Sequence, residues 1–281
     1  MASETRHRRG IRLLKRVALY AGLVIVVIGF AFPFYWMLTT SIKTRIETIN
    51  PAKWIFSPTL ENLVFVFARR NFLMYLKNSL VTVGATTLLS LALALPAAYA
   101  FARFRFKGKE NVAFTVLSLR MLPAMCVVLP YFLLGRFIGI LDTSLILIVV
   151  YMSFNIPFAI WMLRGFIEDI PIDLEEAAWL DGCTLTRSLF KVIIPLIAPG
   201  LAATAIFIII QSWNEFALAL FLTSFQARTL PTMSTMFLSV TGIVWGEMAS
   251  VGVLTTLPVL VFSLIIQKYM IRGLTFGAIK G

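Results

Sequence analysis

Long stretches of the chain contain no charged residue. Five such intervals, 17–42, 78–102, 143–163, 192–214 and 248–267, are each about as long as a membrane-crossing helix. A helix needs about 20 apolar residues to cross roughly 30 Å of hydrocarbon. A sixth interval, 111–135, is interrupted only by Arg120. The pattern therefore predicts an all-α polytopic membrane protein with six transmembrane helices.

The six spans are predicted near 17–38, 79–101, 112–134, 145–163, 200–222 and 249–267. Residues 229–246 also lack charge, but they are rich in Thr and Ser. We therefore predict an outer loop there, with an interfacial helix around Met233–Trp245. The sequence contains no evident repeat or soluble domain, so residues 1–281 are expected to form a single transmembrane domain.

Composition supports a membrane protein. The chain is 59% apolar and only 14% charged, and its mean hydropathy is +0.90, whereas soluble proteins are about 45–50% apolar and roughly 25% charged.

Cys126 and Cys183 are expected to be free thiols. The single histidine, His7, lies in a basic tail, so a histidine-based metal cluster or catalytic triad is excluded. We therefore expect no enzymatic activity in this chain.

The net charge of +12 is explained by topology and not by nucleic-acid binding. If the N-terminus is cytoplasmic, 16 basic residues fall on the inner side and eight on the outer side. Basic residues are enriched in cytoplasmic loops. Both termini are therefore predicted to be cytoplasmic.

The inner loop 164–199 carries the clearest local signals. Asp173 is a plausible N-cap of a short acidic helix, and Glu176 could complete a capping box with it. Gly182 supplies a helix stop. From these signals alone, the loop is either an ordinary interfacial connector or a docking surface for another protein.

The spacing of residues in this loop favours the second interpretation. Glu176-Ala177-Ala178 is followed after three residues by Gly182, and after nine more by Val192-Ile193-Ile194-Pro195. This spacing resembles the E-A-A-x3-G-x9-I-x-L-P signature of bacterial ABC-importer permeases, with Val for Ile and Ile for Leu in the last segment. Further similarity lies in Leu141-Asp142-Thr143, Phe154-Asn155-Ile156-Pro157-Phe158, Trp213-Asn214-Glu215-Phe216 and the ending 272–281. These motifs look like those of the maltose/trehalose type of carbohydrate permease, and more narrowly the shorter, six-span subunit of its heterodimer.

The resemblance implies a type I ABC importer permease fold, in which the short acidic helix is a coupling helix that docks on an ATPase subunit. Glu175 and Glu176 would pair with basic residues of the ATPase, Gly182 would allow the turn, and the C-terminal tail would reach toward the ATPase dimer. The implied coupling residues are Glu175, Glu176, Ala177, Ala178, Gly182 and Pro195.

The resemblance also implies the partners of the chain. These are a second permease subunit, two ATP-binding subunits and an extracytoplasmic solute-binding protein, which the outer loop 223–248 would contact. The sequence has no Gly-x4-Gly-Lys-Ser/Thr phosphate-binding loop. ATP and Mg²⁺ would accordingly be bound by the ATPase subunits, and no cofactor is expected in this chain. The expected location is the bacterial cytoplasmic (inner) membrane, with a sugar as the substrate.

Polar side chains inside the predicted spans are candidates for function, because an ionisable group in hydrocarbon is costly unless it is paired or faces water. The candidates are Arg120, Gln211, Asn214 and Glu215, together with Asn155 from the motif Phe154–Phe158. They either line the sugar pathway or hold helices and subunits together. A different function, a stand-alone secondary transporter or channel, would use Arg120 and Glu215 as a coupled charge pair. A direct contact between these two residues requires helix tilt or offset.

Overall fold

The computed structural model describes the backbone of residues 2–50, 53–69, 71–239 and 242–276, and side chains within 15–50, 53–68, 71–238 and 242–264. The α-helices in these ranges are α1 Ala2–Ser41, α2 Glu61–Arg69, α3 Phe72–Arg103, α4 Lys109–Ser118, α5 Ala124–Ile138, α6 Ser144–Glu168, α7 Asp173–Leu180, α8 Leu185–Ser188, α9 Ile194–Leu196, α10 Ala198–Trp213, α11 Ala217–Leu222 and α12 Trp245–Phe276. Glu47–Ile49, Leu119–Met121 and Leu230–Phe237 form 3-10 helices, Leu189–Ile193 a π-helical turn, and Leu238–Ser239 (β1) and Gly242–Ile243 (β2) two short strands. The end of the C-terminal tail, 277–281, lies outside the described residues.

The predicted all-α membrane architecture is confirmed, with four candidate spans, or six if each of two bent helix pairs is one span. Within the described residues, four single helical segments are long and apolar enough to cross a membrane: Lys15–Ser41, Phe72–Arg103, Ser144–Glu168 and Trp245–Leu264. Two further candidates are bent pairs of helices. Lys109–Met121 and Ala124–Ile138 meet at 90°, and Leu185–Leu196 and Ala198–Trp213 meet at 80°.

The third predicted span, 112–134, is not one continuous helix. Helix α4 ends at Ser118 and is followed by the 3-10 turn, Leu122 is extended with ψ 125°, and Pro123 precedes α5. Proline lacks a backbone N–H, and its ring disfavours helical geometry in the preceding residue. The break at Leu122 is the local consequence of Pro123.

The fifth predicted span, 200–222, is also interrupted. Helix α10 ends at Trp213, and α11 begins only at Ala217. The Asn214 side-chain amide donates to the Ile210 carbonyl at 2.8 Å, and Glu215 Oε1 accepts from the Leu218 N–H at 2.9 Å. The Glu215 carboxylate thus satisfies an N–H group in the first turn of α11, where the helix itself supplies no acceptor. The Asn214 amide adds a second donor to the Ile210 carbonyl, which also accepts from the Asn214 N–H at 3.1 Å.

The predicted interfacial helix around Met233–Trp245 is wrong. The chain instead forms the 3-10 helix Leu230–Phe237, followed by an antiparallel pairing of β1 with β2. The hydroxyls of Thr232, Ser234 and Thr235 each donate to the carbonyl three residues earlier. Such bonds match the three-residue repeat of a 3-10 helix and compete with α-helical geometry.

The chain divides into two compact units, 1–70 with 237–254 and 71–236 with 255–281. In the first unit, the buried Asn62 side chain donates to the carbonyls of Ser41 and Lys43 at 3.0 and 2.7 Å. The second unit is built on α3 and α6, which pack against each other. Its core contains the fully buried residues Ala94, Ala98, Ala159, Leu163, Ile193 and Ile208. Small residues such as these alanines allow close helix approach.

Candidate functional site

A cavity of about 260 Å³ lies where the two interrupted spans meet the middle of α6. Its wall is formed by Arg120, Leu122, Ala124, Tyr151, Phe154, Asn155, Gln211, Ser212 and Glu215. The structure thus brings together four of the five polar residues proposed from the sequence: Arg120, Asn155, Gln211 and Glu215. The fifth, Asn214, is exposed and is not part of this wall.

Arg120 and Glu215 contribute to the same cavity without forming an ion pair with each other. The guanidinium carbon of Arg120 lies 4.1 Å from the ring centroid of Phe158, a cation–π arrangement. Glu215 accepts from the backbone of α11, as described above. In the part of the chain that the structure describes, the ion pairs do not include Arg120 with Glu215. The direct charge pair expected for a stand-alone transporter is therefore not formed.

The α6 side of the cavity is polar and tightly packed. Asn155 is buried, and its amide donates to the Tyr151 carbonyl at 2.8 Å and to Ser212 Oγ at 3.2 Å. The Tyr151 hydroxyl is buried and has no hydrogen-bond partner among the described residues. Tyr151 is not among the candidate residues proposed from the sequence. It precedes Asn155 by four residues and therefore shares its helix face, which is the signal that could have identified it.

Helix α7 coincides with the predicted coupling helix, but it begins differently from the prediction. Its N-cap is Ile172, which makes no side-chain cap, and Asp173 is its first residue. The N–H groups of Glu175 and Glu176 donate to the Ile172 carbonyl at 2.8 and 3.0 Å. The predicted Asp173 N-cap and its capping box with Glu176 are therefore wrong, because backbone carbonyls already satisfy the first turn.

The predicted stop at Gly182 is confirmed. Gly182 has φ +81°, and its N–H donates to the Trp179 carbonyl at 3.0 Å, while the Cys183 N–H donates to the Ala178 carbonyl at 3.0 Å. This pair of bonds is a Schellman motif, which favours glycine at the left-handed position. Further along, Pro195 lies in α9, two residues after the π-helical turn ends and just before the 80° bend.

The two adjacent glutamates of α7 occupy opposite environments. Glu176 is exposed, as are Ala177 and Leu180, whereas Glu175 is completely buried. The Glu175 carboxylate accepts hydrogen bonds from Tyr99 and Arg103 of α3. Its expected pairing with an ATPase surface is thus replaced by a pairing within the chain.

Comparison with known proteins places these features in one family. Residues 90–276 match the family described as binding-protein-dependent transport system inner membrane component. The chain is 36% identical over 273 residues to the trehalose/maltose transport system permease protein MalG of Thermococcus litoralis, covering 96% of this chain and 98% of the relative. It is 38% identical over 276 residues to the trehalose transport system permease protein SugB of Mycobacterium tuberculosis, covering 95% and 99%.

A solved structure shares the fold. It is a bacterial ABC transporter involved in the import of the acidic polysaccharide alginate, matched with a TM-score of 0.75, 22% identity and coverage of 90% of this chain and 95% of that chain. The spans, the α7 segment and the sequence relatives lead to the same conclusion: the chain belongs to the inner membrane permease family of binding-protein-dependent ABC transport systems.

Proposed function

We propose that this permease imports a sugar or sugar derivative and that the cavity lies on the sugar's path. The observation that carries the proposal is the convergence of Arg120, Asn155, Gln211 and Glu215 from separate segments into one cavity. Sugar hydroxyls donate and accept hydrogen bonds, and this set of side chains offers both donors and acceptors. The relatives named for trehalose and maltose transport support the same class of substrate.

The exposed side of α7 is proposed to dock on an ATPase subunit. Glu176 and Asp173 give this surface negative charge, while Leu180, 90% exposed, gives it an apolar contact. An eight-residue helix held by its Schellman turn is short and well defined, so a groove with basic residues on its rim would fit it. ATP and Mg²⁺ would be held by that subunit, and chemical catalysis would take place there.

The proposed assembly contains this chain, a second permease, two ATP-binding subunits and an extracytoplasmic solute-binding protein. It lies in the bacterial cytoplasmic membrane, with both termini and α7 on the cytoplasmic side, in agreement with the distribution of basic residues. ATP binding would bring the ATPase subunits together and move α7 as a rigid body. The cavity would then be open alternately to the two sides of the membrane.

Uptake by proteoliposomes containing the complete assembly tests this proposal, with radiolabelled trehalose, maltose and a panel of monosaccharides as probes. We expect uptake of at least one sugar that requires ATP and the ATPase subunits. Gln211→Ala should reduce it, whereas Asn111→Ala, an exposed amide outside the cavity, should not. Equal uptake by this chain without an ATPase would instead establish a stand-alone transporter. ATP-dependent assembly with no uptake of any probe would refute the sugar proposal.

A further inference from the structure

We propose that Tyr99, Arg103 and Glu175, called here the Glu175 cluster, fix α7 to α3, and that α3 carries the movement of α7 across the membrane to the outer segment 226–230. The inference rests on the proposed docking of α7 on an ATPase subunit. It assigns positioning roles to three residues inside the chain, and it separates Glu175 from its exposed neighbour Glu176.

The cluster is built around a buried carboxylate that has one donor on each oxygen. Tyr99 Oη donates to Glu175 Oε2 at 2.6 Å, and Arg103 Nε donates to Glu175 Oε1 at 2.5 Å. Glu175 is 0% exposed and the Arg103 side chain only 9%. Arg103 Nη2 also donates to the Ile170 carbonyl at 2.9 Å, just beyond the end of α6. The cluster therefore joins the cytoplasmic end of α3, the end of α6 and the first turn of α7.

Burial makes this connection difficult to open. Breaking a buried ion pair leaves an uncompensated charge in a medium of low polarity, which is strongly unfavourable. Charge-assisted hydrogen bonds are also shorter and stronger than neutral ones. When α7 moves, separation from α3 would strand both the Glu175 carboxylate and the Arg103 guanidinium. Joint movement of α7 and α3 avoids this penalty.

The far end of α3 is joined to the outer segment by neutral side-chain hydrogen bonds. Ser79 Oγ accepts from the Leu230 N–H at 2.7 Å. The Asn78 side chain donates to the carbonyls of Gln226 and Arg228 at 2.7 and 3.0 Å. Helix α3 has 32 residues, so it spans about 48 Å at 1.5 Å per residue. One continuous helix thus has side-chain bonds to α7 at one end and to segment 226–230 at the other.

Coupling between two sites is reciprocal. A helix fixed at both ends would carry nucleotide-driven movement outward, and it would carry a change in the outer segment inward to α7.

The test measures hydrogen exchange in peptides covering 226–230 in the assembled transporter, before and after trapping with Mg²⁺, ATP and vanadate. In the wild type, trapping should change the exchange rates of these peptides. In Glu175→Gln, the ATPase should remain bound, but the trapping-induced change in exchange rate should fall by at least about fivefold, because loss of the coupling removes a factor of about that size or more from the equilibrium that links the two sites. Tyr99→Phe, which loses one hydrogen bond and keeps the ion pair, should give an intermediate response. An undiminished response in Glu175→Gln, or no response in the wild type, would overturn the inference.

A second measurement guards against a folding defect and separates this inference from the docking proposal. Spin labels at Leu180→Cys and Arg105→Cys, with Cys126 and Cys183 replaced by alanine, report the distance from α7 to the exposed residues just after α3 in the permease pair without ATPase. Wild type and Glu176→Gln should give the same single narrow distribution, whereas Tyr99→Phe and Glu175→Gln should broaden it progressively. Identical distributions in all four proteins would contradict the Glu175 cluster. By contrast, unchanged ATPase association in Glu176→Lys and Leu180→Asp would contradict docking while leaving the cluster intact.

Discussion

Asp142, in the connection between α5 and α6, holds a segment that is distant in sequence. Its carboxylate accepts hydrogen bonds at 2.9 to 3.2 Å from the backbone N–H groups of four successive residues, Ser224, Phe225, Gln226 and Ala227. Burial alone would raise the pKa of this carboxyl, but the four N–H groups together outweigh that effect and hold the pKa below its ordinary value. We predict that Asp142→Asn loosens segment 224–227 and leaves the helices folded.

The magnitude follows from the bonds that are lost and from their exposure. A hydrogen bond to a charged group contributes about 1.5–3 kcal/mol when well formed. Here four N–H groups share two oxygens on a half-buried carboxylate, so solvent screening reduces the total, and we expect about 2 kcal/mol for the whole set, or roughly a 30-fold change in the opening equilibrium. Asp142 has φ +56°. Asparagine tolerates this left-handed conformation as aspartate does, so the substitution removes the charge without adding backbone strain.

Hydrogen exchange of peptides covering 224–227 is the direct assay, performed on the chain in lipid nanodiscs. Asp142→Asn should accelerate exchange by roughly 30-fold, and Asn78→Ala, which removes the other side chain holding this segment, should also accelerate it. Asp173→Asn, an exposed acid on α7, serves as the matched control and should change nothing here. Because the folded-state pKa lies below the ordinary value of 3.8, the stabilisation is fully present above that value and is lost as the pH falls through the folded-state pKa. Exchange in Asp142→Asn within about twofold of wild type would refute this reasoning.

Three further predictions concern backbone conformation, packing and one loop carboxylate. Gly182→Ala should destabilise the end of α7 by about 1 kcal/mol through its φ of +81° alone, since an added Cβ meets no atom within 4 Å; exchange of α7 amides measures this, and wild-type protection would contradict it. Gly200→Ala should lower the thermal stability by about 1–3 kcal/mol because its Cβ would lie 2.3 to 2.7 Å from ring carbons of Phe166, and Phe166→Leu should recover part of the loss. The hydrogen bond from Lys53 to Glu47 is the largest cause that lowers the pKa of Glu47 from 4.5 to about 2. Protection of the surrounding loop should therefore be full above pH 4.5 and decline toward pH 2, and Lys53→Met should shift this decline to higher pH; an unshifted profile would show that Lys53 is not responsible.

The positions of the spans could be predicted from the sequence because the bilayer imposes the same requirement on every residue of a span. The interruptions were only partly predictable. Pro123 is visible in the sequence as a residue that disturbs a helix. At Asn214–Phe216 no proline marks the break; it is instead supported by bonds from Asn214 and Glu215 to nearby backbone groups. The sequence shows these side chains as polar residues in a span, which fits a pathway residue and a capping residue equally well.

The different environments of the adjacent glutamates of α7 could not be predicted from the local sequence. Successive helical residues point about 100° apart, so one of two neighbouring acids can face the protein while the other faces outward. The local sequence does not determine which one is buried, because both acids are adjacent in the first turns of the same short helix and have the same side-chain chemistry. Tyr99 and Arg103 decide it, since they lie more than 70 residues earlier and provide two donors at the end of α3. A motif spacing can therefore locate a short exposed helix such as the one proposed here to dock on an ATPase, while long-range pairing within the chain determines which of its residues remain exposed.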